Sequence, residues 1–137
     1  MESKVILLTG ASSGIGFQTA EHLAKQGHKV YGAARRVDQM EALKPLGVVP
    51  LMLDLTQEAS IAEAVAHVIA REKRIDVLIN NAGYGLLGAV EDVELSEARK
   101  QFEVNVFGRG TPPLNIRLRL LAMPCAWRLP AKEYTLR

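Results

Sequence analysis

The sequence predicts an α/β chain: a parallel sheet of strand order 3-2-1-4, flanked by helices and followed by an irregular C-terminal tail. Three observations predict it. The apolar run Val5-Ile6-Leu7-Leu8 leads directly into the glycine turn Thr9-Gly10-Ala11-Ser12-Ser13-Gly14-Ile15-Gly16. Strand and helix patterns then alternate, which implies parallel strands joined by right-handed crossovers. Pro50 falls inside the third strand pattern. Proline cannot donate to a ladder, so that strand belongs at an edge, as the order 3-2-1-4 requires.

The first strand ends at Thr9, where the chain must turn tightly. Gly10 supplies a positive φ without a Cβ penalty. Gly14 admits a phosphate close to the backbone, and Gly16 lets the next helix pack against the strand. The first turn of that helix offers unpaired N–H groups and the positive end of its dipole, which attract a pyrophosphate. Ser12 and Ser13 add hydroxyl donors. Ile15, Thr19, Ala20, Leu23 and Ala24 form the expected core stripe of the helix, and Gly27 its C-terminal cap. A small-residue αβ turn without a ligand would carry similar glycines, but the strand before and the helix after favour a dinucleotide site. No Lys-Ser or Lys-Thr follows the second glycine, which excludes a Walker-type loop.

The second strand reads Lys29-Val30-Tyr31-Gly32-Ala33-Ala34. An NAD-type site places a carboxylate near its end to bind the ribose 2′-OH. Here Ala33 and Ala34 stand in that zone, and Arg35 and Arg36 follow. A guanidinium suits a 2′-phosphate, so NADP(H) is favoured over NAD(H). The other reading is that both arginines merely begin a solvated helix.

A short helix is expected over Gln39 to Lys44, ending near Pro45, and the third strand over Val48 to Leu53. The next helix runs from about Glu58 to Glu72, with Ile61, Val65, Val68 and Ile69 on one face. The fourth strand is Asp76-Val77-Leu78-Ile79-Asn80, apolar on both faces like a central strand. A last helix opens near Ser96, with Ala98, Phe102 and Val106 inward and Glu97 and Arg99 outward.

At 137 residues there is room for one domain. Met1-Glu2-Ser3-Lys4 does not read as a signal sequence and there is a single cysteine, so a cytoplasmic location is expected. No run is long enough to cross a membrane. Cys125 has no partner cysteine and reads as an inert thiol. His22, His28 and His67 share no ligand spacing, so no metal site is expected.

Two further motifs join the glycine turn in order: Asn80-Asn81-Ala82-Gly83 after the fourth strand, and Val104-Asn105-Val106 in the last helix. Together the three resemble the short-chain dehydrogenase/reductase family over residues 1 to about 108. The resemblance implies a Rossmann-like, NAD(P)-dependent oxidoreductase acting on alcohols, ketones or aldehydes. By that resemblance Gly10, Gly14, Ile15 and Gly16 form the cofactor turn, and Arg35 selects the 2′-phosphate. Asp54, followed by Leu55, bonds the adenine amino group. Asn81, Ala82 and Gly83 flank the adenosine ribose and steady the central strand. Asn105 takes the helix position of the catalytic tetrad. Read without the resemblance, Asp54 is a helix cap, Asn81 a strand-end turn residue and Asn105 a kink in its helix.

The resemblance stops there. The family needs a serine after a fifth strand and a Tyr-x-x-x-Lys whose i, i+4 spacing sets both side chains on one helix face. The lysine lowers the tyrosine pKa so that the phenol can exchange a proton with the substrate oxygen. This sequence contains no Tyr-x-x-x-Lys and no assignable serine. Residues 109–137 also change character. They hold Pro112, Pro113, Pro124 and Pro130, the only tryptophan, Trp127, and six basic side chains against one acid, Glu133. The chain therefore divides into a partial NAD(P)-binding domain, 1–108, and a divergent tail, 109–137, expected to be poorly ordered. A shifted reading frame or a genuine short variant would account for the tail. Local and global signals conflict only there, which favours the shifted frame. The alternation of Leu114, Ile116, Leu118 and Leu120 with polar residues is either one strand or chance. With four strands alone, the fourth would be a raw edge prone to pairing with another chain.

Three functions stay open: an oxidoreductase by ancestry, inactive in this chain; a non-catalytic NADP(H)-binding module; or a truncated product without function. A small carbonyl or alcohol substrate is expected only of an intact relative. The basic tail has no basic face elsewhere to join, which argues against nucleic acid.

Overall fold

The computed structural model describes residues 2–106, 118–122 and 133–134. Its first unit is β1 (Val5–Thr9), α1 (Gly14–Lys25) and β2 (Lys29–Ala34). A 3-10 segment, Val37–Leu46, leads to β3 (Val49–Met52). Then come α2 (Glu58–Glu72), β4 (Val77–Asn80) and α3 (Leu95–Asn105). Two further stretches join the sheet, β5 (Leu118–Ala122) and β6 (Glu133–Tyr134). The sheet order is β3-β2-β1-β4-β5-β6. All pairs are parallel except β5 with β6. The predicted order 3-2-1-4 is thus present, with Pro50 on the edge strand.

Alternation along the strands sorts two cores, one on each face of the sheet. Val5, Leu7, Tyr31, Ala33 and Leu51 point to the face covered by α2, where Ala64, Val65 and Val68 meet them. Ile6, Leu8, Val30 and Ile79 point to the opposite face, where Ala20 of α1 and Met40 and Leu43 of the 3-10 segment pack. Leu8, Val30 and Tyr31 are fully enclosed; each such side chain contributes about 1.5–3 kcal/mol by leaving water. Tyr31 keeps its polar end satisfied: its hydroxyl donates to Glu72 Oε1 at 2.5 Å. Burial, and then the Glu72 carboxylate, push the phenol pKa up to about 12.

The caps follow the chain chemistry. Gly27, at φ +86, ends α1; its N–H reaches Ala24 O and that of His28 reaches Leu23 O, the paired bonds of a Schellman motif. Lys73 also ends its helix in the left-handed region, at φ +61 after α2 and without a glycine's freedom, but with a single bond from its N–H to Ile69 O.

Four expectations need correction. The segment after β2 is a 3-10 helix rather than an α-helix, and it runs through Pro45. Val37, Met40, Leu43 and Leu46 recur every third residue, which makes one face only at three residues per turn. Ile15 is not part of the core stripe of α1; it is 64% exposed, and the buried face is Gly16 and Ala20, flanked by Phe17, Leu23 and Ala24. In α3 Ala98 is partly shielded as expected, but Phe102 is 58% and Val106 50% exposed, and Glu97, expected outward, is partly shielded. The shielded face of this helix is Glu97, Ala98, Gln101, Val104 and Asn105, because it meets a polar loop rather than a sheet. Lastly, β4 is not an edge strand. β5 pairs with it in parallel, Val77 opposite Arg119 through Asn80 opposite Ala122, so the apolar strand gains the neighbour that its two-faced pattern calls for.

Candidate dinucleotide-binding site

At the carboxyl ends of β1, β2 and β4 the chain forms a cavity of about 370 Å³. Ligands in open α/β sheets bind outside these strand ends. The β1 turn forms one wall, through Gly10, Ser12, Ser13, Ile15 and Gly16. The end of β2 adds Arg35 and Arg36, the end of β3 adds Asp54 and Leu55, and the end of β4 adds Asn81, Ala82 and Gly83. Segments more than 70 residues apart in sequence therefore meet. Of the residues singled out in the sequence, only Gly14 and Asn105 do not line this cavity.

The turn is held by backbone and by one carboxamide. The N–H groups of Gly10 and Ala11 both donate to Ala33 O, at 2.8 and 3.3 Å, fastening the turn to β2. Gly10 and Gly14 take φ of +71 and +55, a region that side chains other than glycine enter at a cost. Gly16 is glycine for space: a Cβ there would overlap Gly10 O and lie 2.5 Å from Asn81 Nδ2. Asn81 Nδ2 donates to Thr9 O at 3.2 Å and Gly10 O at 3.3 Å. Thr9 Oγ1 accepts from the N–H groups of Asn81 and Ala82, each at 3.1 Å. The β4 motif thus staples the end of β1. Ser13 makes no side-chain cap bond, although it is the N-cap of α1. The first N–H groups of the helix find no partner within it, and Ser13, Ile15 and Gly16 at that end line the cavity.

Asp54 shapes the β3 end. Its Oδ1 accepts from Thr56 N at 2.9 Å and Thr56 Oγ1 at 2.7 Å. The Thr56 amide, opposed by some burial and helped by the Thr56 hydroxyl and the Arg35 charge, holds the carboxyl below its ordinary pKa. Asp54 N–H donates to Ser60 Oγ at 3.0 Å. The residue therefore organises the turn ahead of α2 while also lining the cavity, but it is not the helix cap, since the N-cap position of α2 is Gln57.

Asn105 lies outside the cavity but acts on its rim. Its Oδ1 accepts Tyr84 N–H at 3.0 Å and its Nδ2 donates to Tyr84 O at 2.7 Å. Tyr84 and Val104 are cavity residues beyond the sequence set, as are Thr9, Ala34 and Leu53. Two of them had a local signal: Tyr84 follows the Asn-Asn-Ala-Gly motif and Val104 precedes Asn105. Asn80 of the same motif is buried, and its Nδ2 has no partner among the described residues. Among the described residues, no three His, Cys, Asp or Glu side chains gather as metal ligands, and no helix is long and apolar enough to cross a membrane.

A parallel sheet with a glycine cradle at the end of its first strand defines a Rossmann-like, nucleotide-binding α/β unit. Comparison with known proteins names its kind. The short chain dehydrogenase family model matches residues 4–110. The chain is 43% identical over 109 residues to the 3-ketodihydrosphingosine reductase of Bacteroides thetaiotaomicron, covering 79% of this chain and 39% of that protein. It superposes on the alcohol dehydrogenase of the archaeon Thermococcus sibiricus complexed with 5-hydroxy-NADP with a TM-score of 0.73 at 34% identity, over 79% of this chain and 49% of that one. The 3-ketoacyl-(acyl-carrier-protein) reductase of Brucella melitensis complexed with NADH gives a TM-score of 0.74 at 34% identity, over 78% and 46%. The chain belongs to the short-chain dehydrogenase family, whose members are oxidoreductases that bind a nicotinamide dinucleotide. It spans about two-fifths of the length of the curated relatives it matches.

Proposed function

We propose that this chain is the cofactor-binding part of an NADP(H)-dependent alcohol/ketone oxidoreductase, and that residues 1–137 alone bind the cofactor without turning substrate over. One observation carries the NADP(H) reading: Arg35 and Arg36 line the cavity just past β2, where Ala33 and Ala34 leave no carboxylate. Two guanidinium groups attract a 2′-phosphate, and a carboxylate that would repel it is lacking at that strand end.

The cradle fits a dinucleotide on its own geometry. A Cβ at Gly10 would come within 2.8 Å of Ala82 Cα, so the β1 turn can close on the end of β4, and shape the cavity that both line, only because that position is bare. Gly10, Ser12, Ser13, Gly14, Ile15 and Gly16 would hold the pyrophosphate, Arg35 and Arg36 the 2′-phosphate, Asp54 and Leu55 the adenine, and Asn81, Ala82 and Gly83 the ribose. The bound nicotinamide supplies hydride transfer. Asn105 contributes through the Tyr84 backbone that it holds. The proton-exchanging Tyr-x-x-x-Lys is not in this sequence, which is why turnover is assigned to a longer or intact relative.

Titration with NADPH and NADH, read by cofactor fluorescence, tests the reading. NADPH should bind at least about tenfold tighter, and Arg35→Gln with Arg36→Gln should erase the difference, since each charge-assisted bond contributes about 1.5–3 kcal/mol. Equal affinities in the unaltered chain would refute the NADP(H) preference. Carbonyl-dependent NADPH oxidation by the purified chain would refute the inactivity.

A further inference from the structure

The geometry points to Gln101 as a positioning residue for the nucleotide cavity: with Asn105 it pins the 84–86 backbone to α3 and so fixes Tyr84 as a cavity wall. This rests on the reading of that cavity as the NADP(H) site.

After β4 the chain runs without regular structure as far as the short 3-10 turn at Val90–Asp92. Backbone groups in such a stretch need partners from elsewhere. The start of the loop is tied to β1 by Asn81 and Thr9. Its continuation is tied to α3, and by two side chains only among the described residues. Gln101 Oε1 accepts Leu86 N–H at 3.0 Å. Asn105 takes both backbone groups of Tyr84. Residues 101 and 105 are one turn apart and share a helix face. Both are partly shielded, whereas Leu95, Phe102 and Val106 are exposed. Among the described residues the helix therefore meets the loop through carboxamides, and α3 has no fully buried residue.

The pinned backbone carries Tyr84 to a particular place. Tyr84 lines the nucleotide cavity and also a neighbouring cavity of about 620 Å³ bounded by Arg35, Thr56 and α3. Arg35 and Val104 border both cavities as well. Asn105 grips residue 84 by its N–H and its carbonyl. The Gln101 bond adds a second anchor two residues on, so that the 84–86 backbone is held at both ends. An acceptor is what the geometry requires at 101, because the group to be satisfied is an N–H. Glutamate keeps that oxygen; methionine keeps the length and loses it.

The test uses the whole chain with Gln101→Met and Gln101→Glu. Three quantities are measured: the NADPH dissociation constant, exchange of the Leu86 amide by NMR, and the melting temperature without ligand. Gln101→Met should weaken NADPH about fivefold, the loss of one hydrogen bond, and speed Leu86 exchange by a similar factor. Gln101→Glu should stay within about twofold of the unaltered chain in both. In a Tyr84→Ala background, Gln101→Met should cost no further affinity, because the wall it positions is gone. Faster Leu86 exchange with unchanged NADPH affinity would overturn the role and leave a purely structural bond. A lower melting temperature with unchanged affinity would do the same. If the unaltered chain binds no NADPH, the cofactor reading fails; if it binds and Gln101→Met binds equally well, only the role of Gln101 fails.

Discussion

Gly16→Ala isolates what the cradle costs in space. The added methyl would overlap Gly10 O, lie 2.5 Å from Asn81 Nδ2 and 2.8 Å from the Gly10 carbonyl carbon. Two of those atoms are backbone in a turn that is fastened to Ala33 O by two N–H bonds, so the turn cannot yield cheaply. The third belongs to the carboxamide that holds β1 to β4. Overpacking of this kind costs about 1–3 kcal/mol, and displacing Asn81 forfeits two bonds of about 1 kcal/mol each. A loss of about 3 kcal/mol lowers the melting temperature of a domain this size by roughly 10 °C. Gly14→Ala is the control. Its Cβ would meet nothing within 4 Å, and only the φ of +55 is strained, which costs about 1–2 kcal/mol. Thermal melts by circular dichroism should rank Gly16→Ala below Gly14→Ala, and both below the unaltered chain. A Gly16→Ala protein that melts within 2 °C, roughly half a kcal/mol, of the original would refute the close-packing argument.

Three other outcomes follow from single contacts. Lys73→Gly should raise the urea midpoint, corresponding to about 0.5–1 kcal/mol, because Lys73 holds φ +61 at the end of α2; a lower midpoint would contradict the strain. Tyr31 has its pKa raised to about 12 by burial and by Glu72, so the folded state keeps the phenol proton after the unfolded chain releases it near pH 10. Its contribution is complete below pH 10 and is lost between pH 10 and 12, about 2–3 kcal/mol; Tyr31→Phe should flatten that part of the stability profile, and an unchanged profile would show that the phenol is not protected. Asn81→Ala should cost about 1–3 kcal/mol in urea melts by stripping the carboxamide from Thr9 O and Gly10 O, and should weaken NADPH binding as the turn loosens; full affinity would separate the staple from the site.

Where one period dominates a segment, the sequence reads directly. β2 occupies Lys29–Ala34 and α2 occupies Glu58–Glu72, the spans their patterns predict. Both have one face that must be dry, so pattern and packing agree. The segment from Val37 to Leu46 is misread because a spacing of three fits an α-helix tolerably over two turns, and only burial of Met40 and Leu43 together selects the tighter helix. The misreading of α3 has a different origin. Ala98, Phe102 and Val106 do form an apolar stripe, but which face is shielded depends on what the helix meets. It meets the loop after β4, whose unpaired amides select Gln101 and Asn105. Periodicity reports amphipathicity; it does not report the polarity of the partner.

The same distinction divides the site. The Gly10–Gly16 turn, Arg35, Arg36 and the Asn81–Gly83 motif are legible because each is a contiguous string whose chemistry is local: a turn, a strand end, a strand end. Tyr84 and Gln101 are 17 positions apart, and their relation exists only because Leu86 N–H, Tyr84 N–H and Tyr84 O all come to rest against one turn of α3. The cradle is therefore specified twice, by its own glycines and by the Asn81 staple, whereas the wall depends on three hydrogen bonds from two side chains. Each is worth about 1 kcal/mol, so the wall is the part of the cavity that gives way first. Cradle and wall should then separate under mild denaturant: amides of Gly10 and Ala11, bound to Ala33 O, should stay protected at urea concentrations that already release Tyr84 and Leu86. Simultaneous loss of all four would mean that α3 and the cradle form one cooperative unit, and that the loop is held by more than the carboxamides.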